Sequence, residues 1–413
     1  MGFCILCSLQ SICYSTYMKD CRHLSFCGGC SSPQTAYSTF LKAKELLLQE
    51  LFSSLISEIR PVIPCTPILR GRNKMEFSFF QSRDQQKSLG LMSSSKPRQG
   101  IQITECLLTQ EDTMEILRLT RLWWERHVYL TAYFPPKNRG CLCTLTIRYG
   151  YPKKEIMVIL TTSGAPEYTI SPEALEDWKQ TLLGSSLNIS SIFWEEKHST
   201  PGLPTQYLQT LLYGEPYIQQ TLTLPSDGSS ATFNIRPKSF FQPQTLQAAR
   251  IIDTVKEFIN PQGTEILLDL YCGVGTLGIM LAPYVQKVIG VENVPEAILS
   301  ARENILINHQ ENRMEVFLED TKTFCKKLPY TCPPDIIIVD PPRCGLQNKA
   351  LKHILKIGAP KLVYISCNPR TQFQECFQLI HAGYSIKAMQ PIDQFPHSPH
   401  LENILLLERS SFL

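Results

Sequence analysis

The stretch Asp269-Leu270-Tyr271-Cys272-Gly273-Val274-Gly275-Thr276 decides the fold of this 413-residue chain. It continues the apolar run Ile266–Leu270, which is typical of a buried strand, and a helical pattern begins near Leu277. Two glycines in such a turn let the backbone bend sharply and approach a flat ligand closely. With Gly278 the stretch also satisfies the Gly-x-Gly-x-x-Gly pattern of dinucleotide sites, which does not identify the ligand on its own.

From Phe240 to the end of the chain, apolar strands alternate with amphipathic helices. Because strands linked by helical crossovers pair in parallel, this alternation predicts an α/β domain with a doubly wound sheet covered on both faces. We place this domain at residues 236–413. Its predicted strands are Ile266–Leu270, Val288–Glu292, Met314–Leu318, Asp335–Asp340, Lys361–Ser366, Tyr384–Met389 and Asn403–Glu408.

The chain before this domain has two segments with different sequence patterns. Residues 60–235 contain short alternating stretches broken by Pro and Gly, which predict a β-rich central domain. Residues 1–59 combine a Cys-rich start with apolar residues at helical spacing, so we predict a cap followed by one amphipathic helix.

Residues 60–98 carry eight Lys and Arg and two acids, a local charge of 8 − 2 = +6 in a chain of net charge +3. Such a stretch attracts phosphate backbones, or forms a solvated surface without a ligand.

Composition narrows the class of protein. With 43% hydrophobic and 19% charged residues, the chain has the composition of a folded globular protein rather than a disordered one. Its apolar runs are shorter than the roughly 20 residues that cross a bilayer, and neither a secretory signal nor a lipidation motif is recognisable. We therefore expect a cytoplasmic protein without a membrane span. In a reducing compartment, clusters among its 16 cysteines favour metal binding over disulfides.

Carboxylates follow three of the predicted strands. Glu292 lies 17 residues after Gly275, where a carboxylate accepts hydrogen bonds from both hydroxyls of an unphosphorylated ribose. The ligand is then NAD or S-adenosylmethionine. Asp320 and Asp340 at the next strand ends suit a cationic sulfonium better than two phosphates, although a strand-end Asp also often caps the next helix.

Two further residues suggest covalent catalysis. Cys367 follows the strand Lys361–Ser366, where its thiolate would be exposed to a ligand as a nucleophile, although a Cys is more commonly packed as a small apolar residue. Glu402 begins an apolar run, where desolvation would make it a general base; a solvated strand-start Glu is the alternative. The rival nucleophile is Cys344.

Five motifs resemble, in chain order, those of the RNA (uracil-5-)-methyltransferases. They are Phe240-Phe241-Gln242, the stretch 269–275, Asp340-Pro341-Pro342-Arg343, Ser366-Cys367-Asn368-Pro369 and His400-Leu401-Glu402. The resemblance implies a Rossmann-like class I methyltransferase domain in which Cys367 is the nucleophile and Glu402 removes the C5 proton. It assigns S-adenosylmethionine binding to Gln242, Tyr271, Glu292 and Asp340, to which we add Thr276 and Asp320 as candidate contacts.

The implied activity is methylation of uridine C5 in RNA through a covalent adduct between Cys367 and uracil C6. We expect a monomeric enzyme acting on 23S ribosomal RNA, with the tRNA T-loop as the alternative substrate. The alternative of another class is an iron-sulfur protein that binds RNA without catalysis. Gln244 departs from the family, which usually has Asn two residues after the Gln.

Cys21, Cys27 and Cys30 are spaced Cys-x5-Cys-x2-Cys, and Cys106 is a candidate fourth ligand. Four thiolates suit either zinc or an iron-sulfur cluster, and unligated cysteines remain an alternative. The family branch that this chain resembles carries the same set with a 4Fe-4S cluster, so the resemblance implies that cluster for this chain. Cys4, Cys7 and Cys13 receive no role.

Overall fold

The computed structural model describes residues 21–30, 36–96, 99–200, 202–328 and 333–409. These residues group into two compact units. The central unit comprises Thr16–Gln34 and Pro67–Gln220, and the C-terminal unit comprises Thr35–Thr66 and Thr221–Leu413. The prediction grouped residues 35–59 with the cysteine cap in one domain. In the structure the cysteine cap belongs to the central unit, whereas residues 35–59 belong to the C-terminal unit. The cysteines Cys4, Cys7 and Cys13 lie outside the described residues.

Helices and strands are numbered in chain order along the described residues. The helices are α1 (Tyr37–Phe52), α2 (Glu111–Arg126), α3 (Pro172–Leu183), α4 (Thr245–Ile259), α5 (Thr276–Leu281), α6 (Pro295–Ile307), α7 (Thr321–Lys327), α8 (Gln347–Ile357) and α9 (Pro369–His381). The strands are β1 (Lys74–Gln81), β2 (Lys87–Met92), β3 (Gly100–Gln102), β4 (Leu142–Gly150), β5 (Glu155–Ser163), β6 (Ile189–His198), β7 (Gln206–Gly214), β8 (Ile218–Thr223), β9 (Ser230–Ile235), β10 (Ile266–Leu270), β11 (Lys287–Glu292), β12 (Met314–Leu318), β13 (Ile336–Val339), β14 (Lys361–Ser366), β15 (Tyr384–Ile392) and β16 (Glu402–Arg409). None of the described helices combines the length and apolar character of a membrane crossing.

The central unit contains a seven-stranded sheet in the order β3-β2-β1-β4-β5-β6-β7. Its pairs are antiparallel except for β5 and β6, which are joined by α3. The buried indoles of Trp123 in α2 and Trp178 in α3 belong to its core. Their N–H groups donate to Ala174 O and Thr120 Oγ1, so neither polar atom is left unpaired by burial. The β-rich prediction is confirmed, with two helices that it did not contain.

The C-terminal unit contains a seven-stranded sheet in the order β12-β11-β10-β13-β14-β16-β15. Strands β10 to β14 are parallel, and β16 pairs antiparallel with both β14 and β15. The predicted doubly wound fold is confirmed, and all seven predicted strands are present to within a few residues. Strands β8 and β9 form a separate two-stranded sheet.

Helix α1 belongs to the C-terminal unit because its apolar face lies in that unit's core. Leu48 and Phe52 are fully buried there. The same face carries Lys44, only 3% exposed, whose Nζ lies 2.7 Å from Oδ1 of the fully buried Asp393. Tyr37 OH donates to the other oxygen of that carboxylate at 2.7 Å. The Lys44 ammonium group and the Tyr37 hydroxyl group therefore both stabilise the buried Asp393 carboxylate.

Replacing Lys44 with Met should strongly destabilise the C-terminal unit. The substitution leaves the Asp393 carboxylate buried without its cation, which typically costs about 3–5 kcal/mol of unfolding free energy. Urea unfolding of the variant measures the loss, and Lys42→Met on the exposed face of α1 is the matched control, expected to change stability by less than about 0.5 kcal/mol. Equal stability of the two variants would contradict this description of the ion pair.

Candidate functional site

Parallel pairing gathers the predicted site residues at one edge of the C-terminal sheet. Leu270 in β10 pairs with Val291 in β11 and with Val339 in β13. The residues that follow these three, Tyr271, Glu292 and Asp340, therefore lie together at the carboxyl edge. Ligands of open α/β sheets bind at this edge.

The loop after β10 has the sharp turn that its glycines predicted. Gly273 and Gly275 have φ of 56° and 84°, and Tyr271 also has a positive φ of 65°, a conformation that non-glycine residues rarely adopt. Glu292 orders the loop: its Oε2 accepts from Gly273 N at 3.1 Å, and its Oε1 accepts from the two backbone N–H groups that follow it. The carboxylate predicted to bind ribose thus also shapes the cofactor loop.

Asp269 is a buried acid behind this loop that sequence analysis did not single out. Its Oδ2 accepts from Gly278 N at 3.1 Å, whereas its Oδ1 is buried and has no partner among the described residues. Burial, and then the neighbouring carboxylates of Asp340 and Glu292, raise its pKa to about 8. Its surroundings therefore favour the protonated form. The sequence feature that could have identified Asp269 is its position as an acid inside the otherwise apolar run of β10.

The antiparallel pairing of β14 and β16 brings the predicted nucleophile and base together. Ser366 pairs with Asn403 at the end of β14 and the start of β16. Cys367 follows Ser366, and Glu402 precedes Asn403. The two residues therefore lie next to each other at this end of the strand pair. Glu402 is 4% exposed, and its Oε2 is buried without a hydrogen-bond partner in the described part of the chain.

A pair of buried amides holds this arrangement. Gln372 in α9 donates from Nε2 to the carbonyl oxygens of Tyr364 and Asn403, at 2.9 and 3.2 Å. Asn403 Nδ2 donates back to Gln372 Oε1 at 2.7 Å. The helix that follows Cys367 and the strand that carries Glu402 are thereby fixed to each other.

Burial raises the pKa of both the predicted nucleophile and the predicted base. Burial is the main cause that raises the pKa of Cys367 to about 11, and the charges of Glu402 and Asp340 raise it further, while Arg343 opposes them. Burial and the Asp340 charge also raise the pKa of Glu402 well above its usual range. Sequence analysis predicted the raised pKa of Glu402 but not the influence of Arg343.

The other candidate contacts lie around the same edge. Gln242 is partly buried, and its Oε1 accepts from Gln394 Nε2 at 2.5 Å. Thr276 is the first residue of α5. Asp320 caps α7, because its Oδ1 accepts from Thr323 N at 3.1 Å, which is the alternative role of strand-end acids. The rival thiol Cys344 is exposed, whereas Cys367 is half-buried.

The four predicted ligand thiols meet in the central unit. Cys21, Cys27, Cys30 and Cys106 line one pocket. Burial raises the pKa of Cys30 to about 12, and a thiolate at Cys106 would raise it further because the two groups are close. All twelve cysteines among the described residues are free thiols, but within that part of the chain no three His, Cys, Asp or Glu side chains are arranged to hold a metal ion.

The two glycines between these cysteines are required by packing. Gly28 N donates to Met92 O at 2.9 Å, which docks the loop on the end of β2. A Cβ atom would lie 2.9 Å from Met92 O at Gly28 and 2.8 Å from Leu91 Cδ1 at Gly29. At Gly28 the close atom belongs to the backbone, so a side chain does not fit there, whereas at Gly29 a side chain would require Leu91 to shift.

Comparison with known proteins identifies relatives over nearly the whole chain. A family model of the tRNA (uracil-5-)-methyltransferases matches residues 206–410. The chain is 62% identical over 398 residues to a Chlamydia caviae protein named as an RNA methyltransferase, covering 96% of this chain and 99% of the relative. It is 32% identical over 395 residues to one from Caldanaerobacter subterraneus, covering 95% of this chain and 85% of that relative.

A solved structure shares the fold. It is the Pyrococcus abyssi tRNA (uracil-54, C5)-methyltransferase in complex with S-adenosyl-L-homocysteine, at a TM-score of 0.71 and 25% identity. The match covers 92% of this chain and 86% of the Pyrococcus chain. Together with the site geometry, these similarities establish that the chain belongs to the RNA (uracil-5-)-methyltransferase family.

Proposed function

We propose that this enzyme transfers the methyl group of S-adenosylmethionine to C5 of a uridine in RNA, with Cys367 as the nucleophile and Glu402 as the base. The observation that carries the proposal is the position of these two residues beside each other, next to Asp340, at the ligand-binding edge of the sheet. A thiol and a desolvated carboxyl group at one point match a reaction that needs a nucleophile at C6 and a proton acceptor at C5.

Cys367 and Glu402 each carry out a different step of the proposed reaction. Cys367 loses its proton to solvent, and the thiolate sulfur bonds to uracil C6; the electron pair of the 5,6-double bond moves toward the C4 carbonyl, which makes C5 nucleophilic. Bound S-adenosylmethionine supplies the electrophilic methyl group that C5 takes up. Glu402 in its ionised form then accepts the C5 proton, and the returning electron pair expels the Cys367 sulfur from C6. The target base must leave its stack to reach this edge.

The cofactor contacts follow from the same geometry. We propose that Glu292 accepts hydrogen bonds from the ribose hydroxyls beside the glycine loop; Tyr271 follows the strand that lies between those of Glu292 and Asp340. Gln242 is the fourth contact, with Thr276 and Asp320 at the periphery. The carboxyl groups at this edge suit a cationic sulfonium, whereas the two phosphates of a dinucleotide would be repelled by them.

We propose 23S ribosomal RNA as the substrate of a monomeric cytoplasmic enzyme. The support is the resemblance of the cysteine cap to the branch that acts on this RNA. The tRNA T-loop is the second candidate, favoured by the similarity to the Pyrococcus enzyme. Mapping the methylated nucleotide in total RNA separates the two.

We propose that Cys21, Cys27, Cys30 and Cys106 hold a 4Fe-4S cluster. The support is that the four thiols line a single cavity and that thiolates are the ligands of such clusters. The chemistry proposed above requires no electron transfer, so the cluster would stabilise the fold of the cap.

Cys367 should alkylate slowly at neutral pH. Because its pKa is raised to about 11, little thiolate is present near pH 7, and the rate should increase with pH up to that value. Glu402→Gln removes a neighbouring negative charge, so it should lower the pKa of Cys367 and accelerate alkylation at pH 8–9. Peptide mass spectrometry with iodoacetamide measures the rate, and the exposed Cys344 in the same digest is the reference thiol. A slower reaction in Glu402→Gln would contradict the proposed charge coupling.

Cys367→Ser should abolish methylation, while Cys344→Ser should retain it. Glu402→Gln should lose about 10²–10⁴-fold in rate, as is typical when a general base is removed. RNA containing 5-fluorouridine should trap a covalent adduct with the unmodified enzyme, because fluorine at C5 cannot leave as a proton. Denaturing gels and mass spectrometry detect the adduct. RNA binding without adduct or turnover would favour the non-catalytic alternative.

Protein purified without oxygen should be brown and contain about four iron and four sulfide ions per chain. Cys106→Ser should lose most of this iron, whereas Cys376→Ser, a buried thiol of the other unit, should retain it. Metal and sulfide analysis together with the visible absorption spectrum make the comparison. A colourless protein that contains zinc would replace the cluster assignment with a zinc site.

A further inference from the structure

We propose that Glu375 is a positioning residue for the nucleophile: it holds the loop between β13 and α8, residues 340–346, so that Arg343 stays close to Cys367. The inference rests on the proposed role of Cys367. Glu375 lies in α9, the helix that follows Cys367, and is only 8% exposed. None of the sequence motifs includes it, and the proposed reaction does not use it.

The Glu375 carboxyl group joins the loop to two other elements. Its Oε1 accepts from Leu346 N at 2.9 Å, at the end of the loop. Its Oε2 accepts from the hydroxyl group of Tyr364, a fully buried residue of β14 three positions before Cys367. The apolar side chain of Leu346 also anchors the loop in the core, but only the hydrogen bond has a preferred direction. Glu375 therefore fixes how the loop is oriented against α9 and β14.

The loop is seated directly on this carboxyl group. Gly345 N donates to Pro342 O at 2.9 Å, which closes a turn around Arg343 and Cys344. Gly345 has a φ of 78°, and a Cβ atom at this position would collide with Glu375 Oε1. Because the turn is closed and lies against Glu375, a change in that contact is transmitted to Arg343.

The same loop reaches the nucleophile on its other side. Asn368, the neighbour of Cys367, donates from Nδ2 to Arg343 O at 3.4 Å. Burial, and then the charges of Glu402 and Asp340, raise the pKa of Cys367. The Arg343 charge opposes this rise. Because the attraction between charges weakens with distance, a displaced Arg343 would stabilise the thiolate less.

Two substitutions of similar volume isolate the contact with the loop. Glu375→Gln keeps an oxygen acceptor for Leu346 N, whereas Glu375→Met removes it. Both remove the same charge, so their difference reports the hydrogen bond. Tyr364→Phe is the matched control, because it removes the other buried hydrogen bond of Glu375 and leaves the Leu346 contact in place.

We expect Glu375→Met to slow the alkylation of Cys367 by iodoacetamide about threefold at pH 8.5, because less thiolate is present. Glu375→Gln and Tyr364→Phe should react at close to the rate of the unmodified protein. Each Glu375 substitution is also made in Arg343→Met protein, where it should have no further effect if Glu375 acts through Arg343. Peptide mass spectrometry gives the rates, and thermal melting confirms that each variant folds.

A merely structural role predicts the opposite sign. If Glu375→Met only loosened the site, Cys367 would become more exposed, its pKa would fall and alkylation would accelerate. That result would overturn the inference. An unchanged rate, an equal slowing by Tyr364→Phe, or an equal slowing in Arg343→Met protein would overturn it as well.

Failure of the proposed function is distinguishable from failure of this inference. Alkylation requires neither S-adenosylmethionine nor RNA, so the expected order of rates in a protein that does not methylate RNA would refute the proposed function alone. In an active enzyme, kcat/KM for methylation should fall in Glu375→Met and be retained in Glu375→Gln. Loss of methylation in Glu375→Met without slower alkylation would overturn the inference.

Discussion

The site depends on one reversal of strand direction in an otherwise parallel sheet. In parallel strands, only the carboxyl ends reach the ligand-binding edge, so residues that begin a strand lie at the opposite edge. Because β16 runs antiparallel to β14, its first residue, Glu402, reaches the edge where β14 delivers Cys367. The two residues of the proposed covalent mechanism therefore come from the end of one strand and the start of another. The amide pair Gln372–Asn403 keeps them in register.

This concentration of acids has an electrostatic consequence. Burial favours the protonated forms of Asp269, Asp340 and Glu402, and the Asp340 charge adds to this effect at Asp269 and Glu402. Burial, and then the charges of Glu402 and Asp340, raise the pKa of the Cys367 thiol, so little of it is thiolate near neutral pH. A cationic cofactor favours ionisation of the same acids. Binding of a sulfonium cation would shift these carboxyl groups toward their charged forms.

The sequence was most informative where chemistry and strand ends coincide. Glu292, Cys367 and Glu402 were predicted because each stands at the boundary of an apolar run, and the strand pairing puts all three at the same edge of the sheet. Helices α2 and α3 were not predicted because their region reads mainly as alternating short stretches. The pair of Lys44 and Asp393 could not be predicted either, because its members are 349 residues apart and neither belongs to a motif. The periodicity of the sequence also cannot show which end of a side-chain amide, such as that of Gln242, is hydrogen-bonded to another residue.

A buried ion pair such as that of Lys44 and Asp393 is not an efficient way to stabilise a fold. Desolvation of the two charges offsets much of their attraction, and well-packed apolar residues often serve equally well. What a charged pair adds is specificity of position, since Asp393 tolerates burial only in the arrangement that keeps both Lys44 and Tyr37 in contact. That arrangement fixes the turn between β15 and β16, which leads directly to Glu402 and includes Gln394. Helix α1, which is remote in sequence from every catalytic motif, therefore belongs to the machinery that holds the site in place.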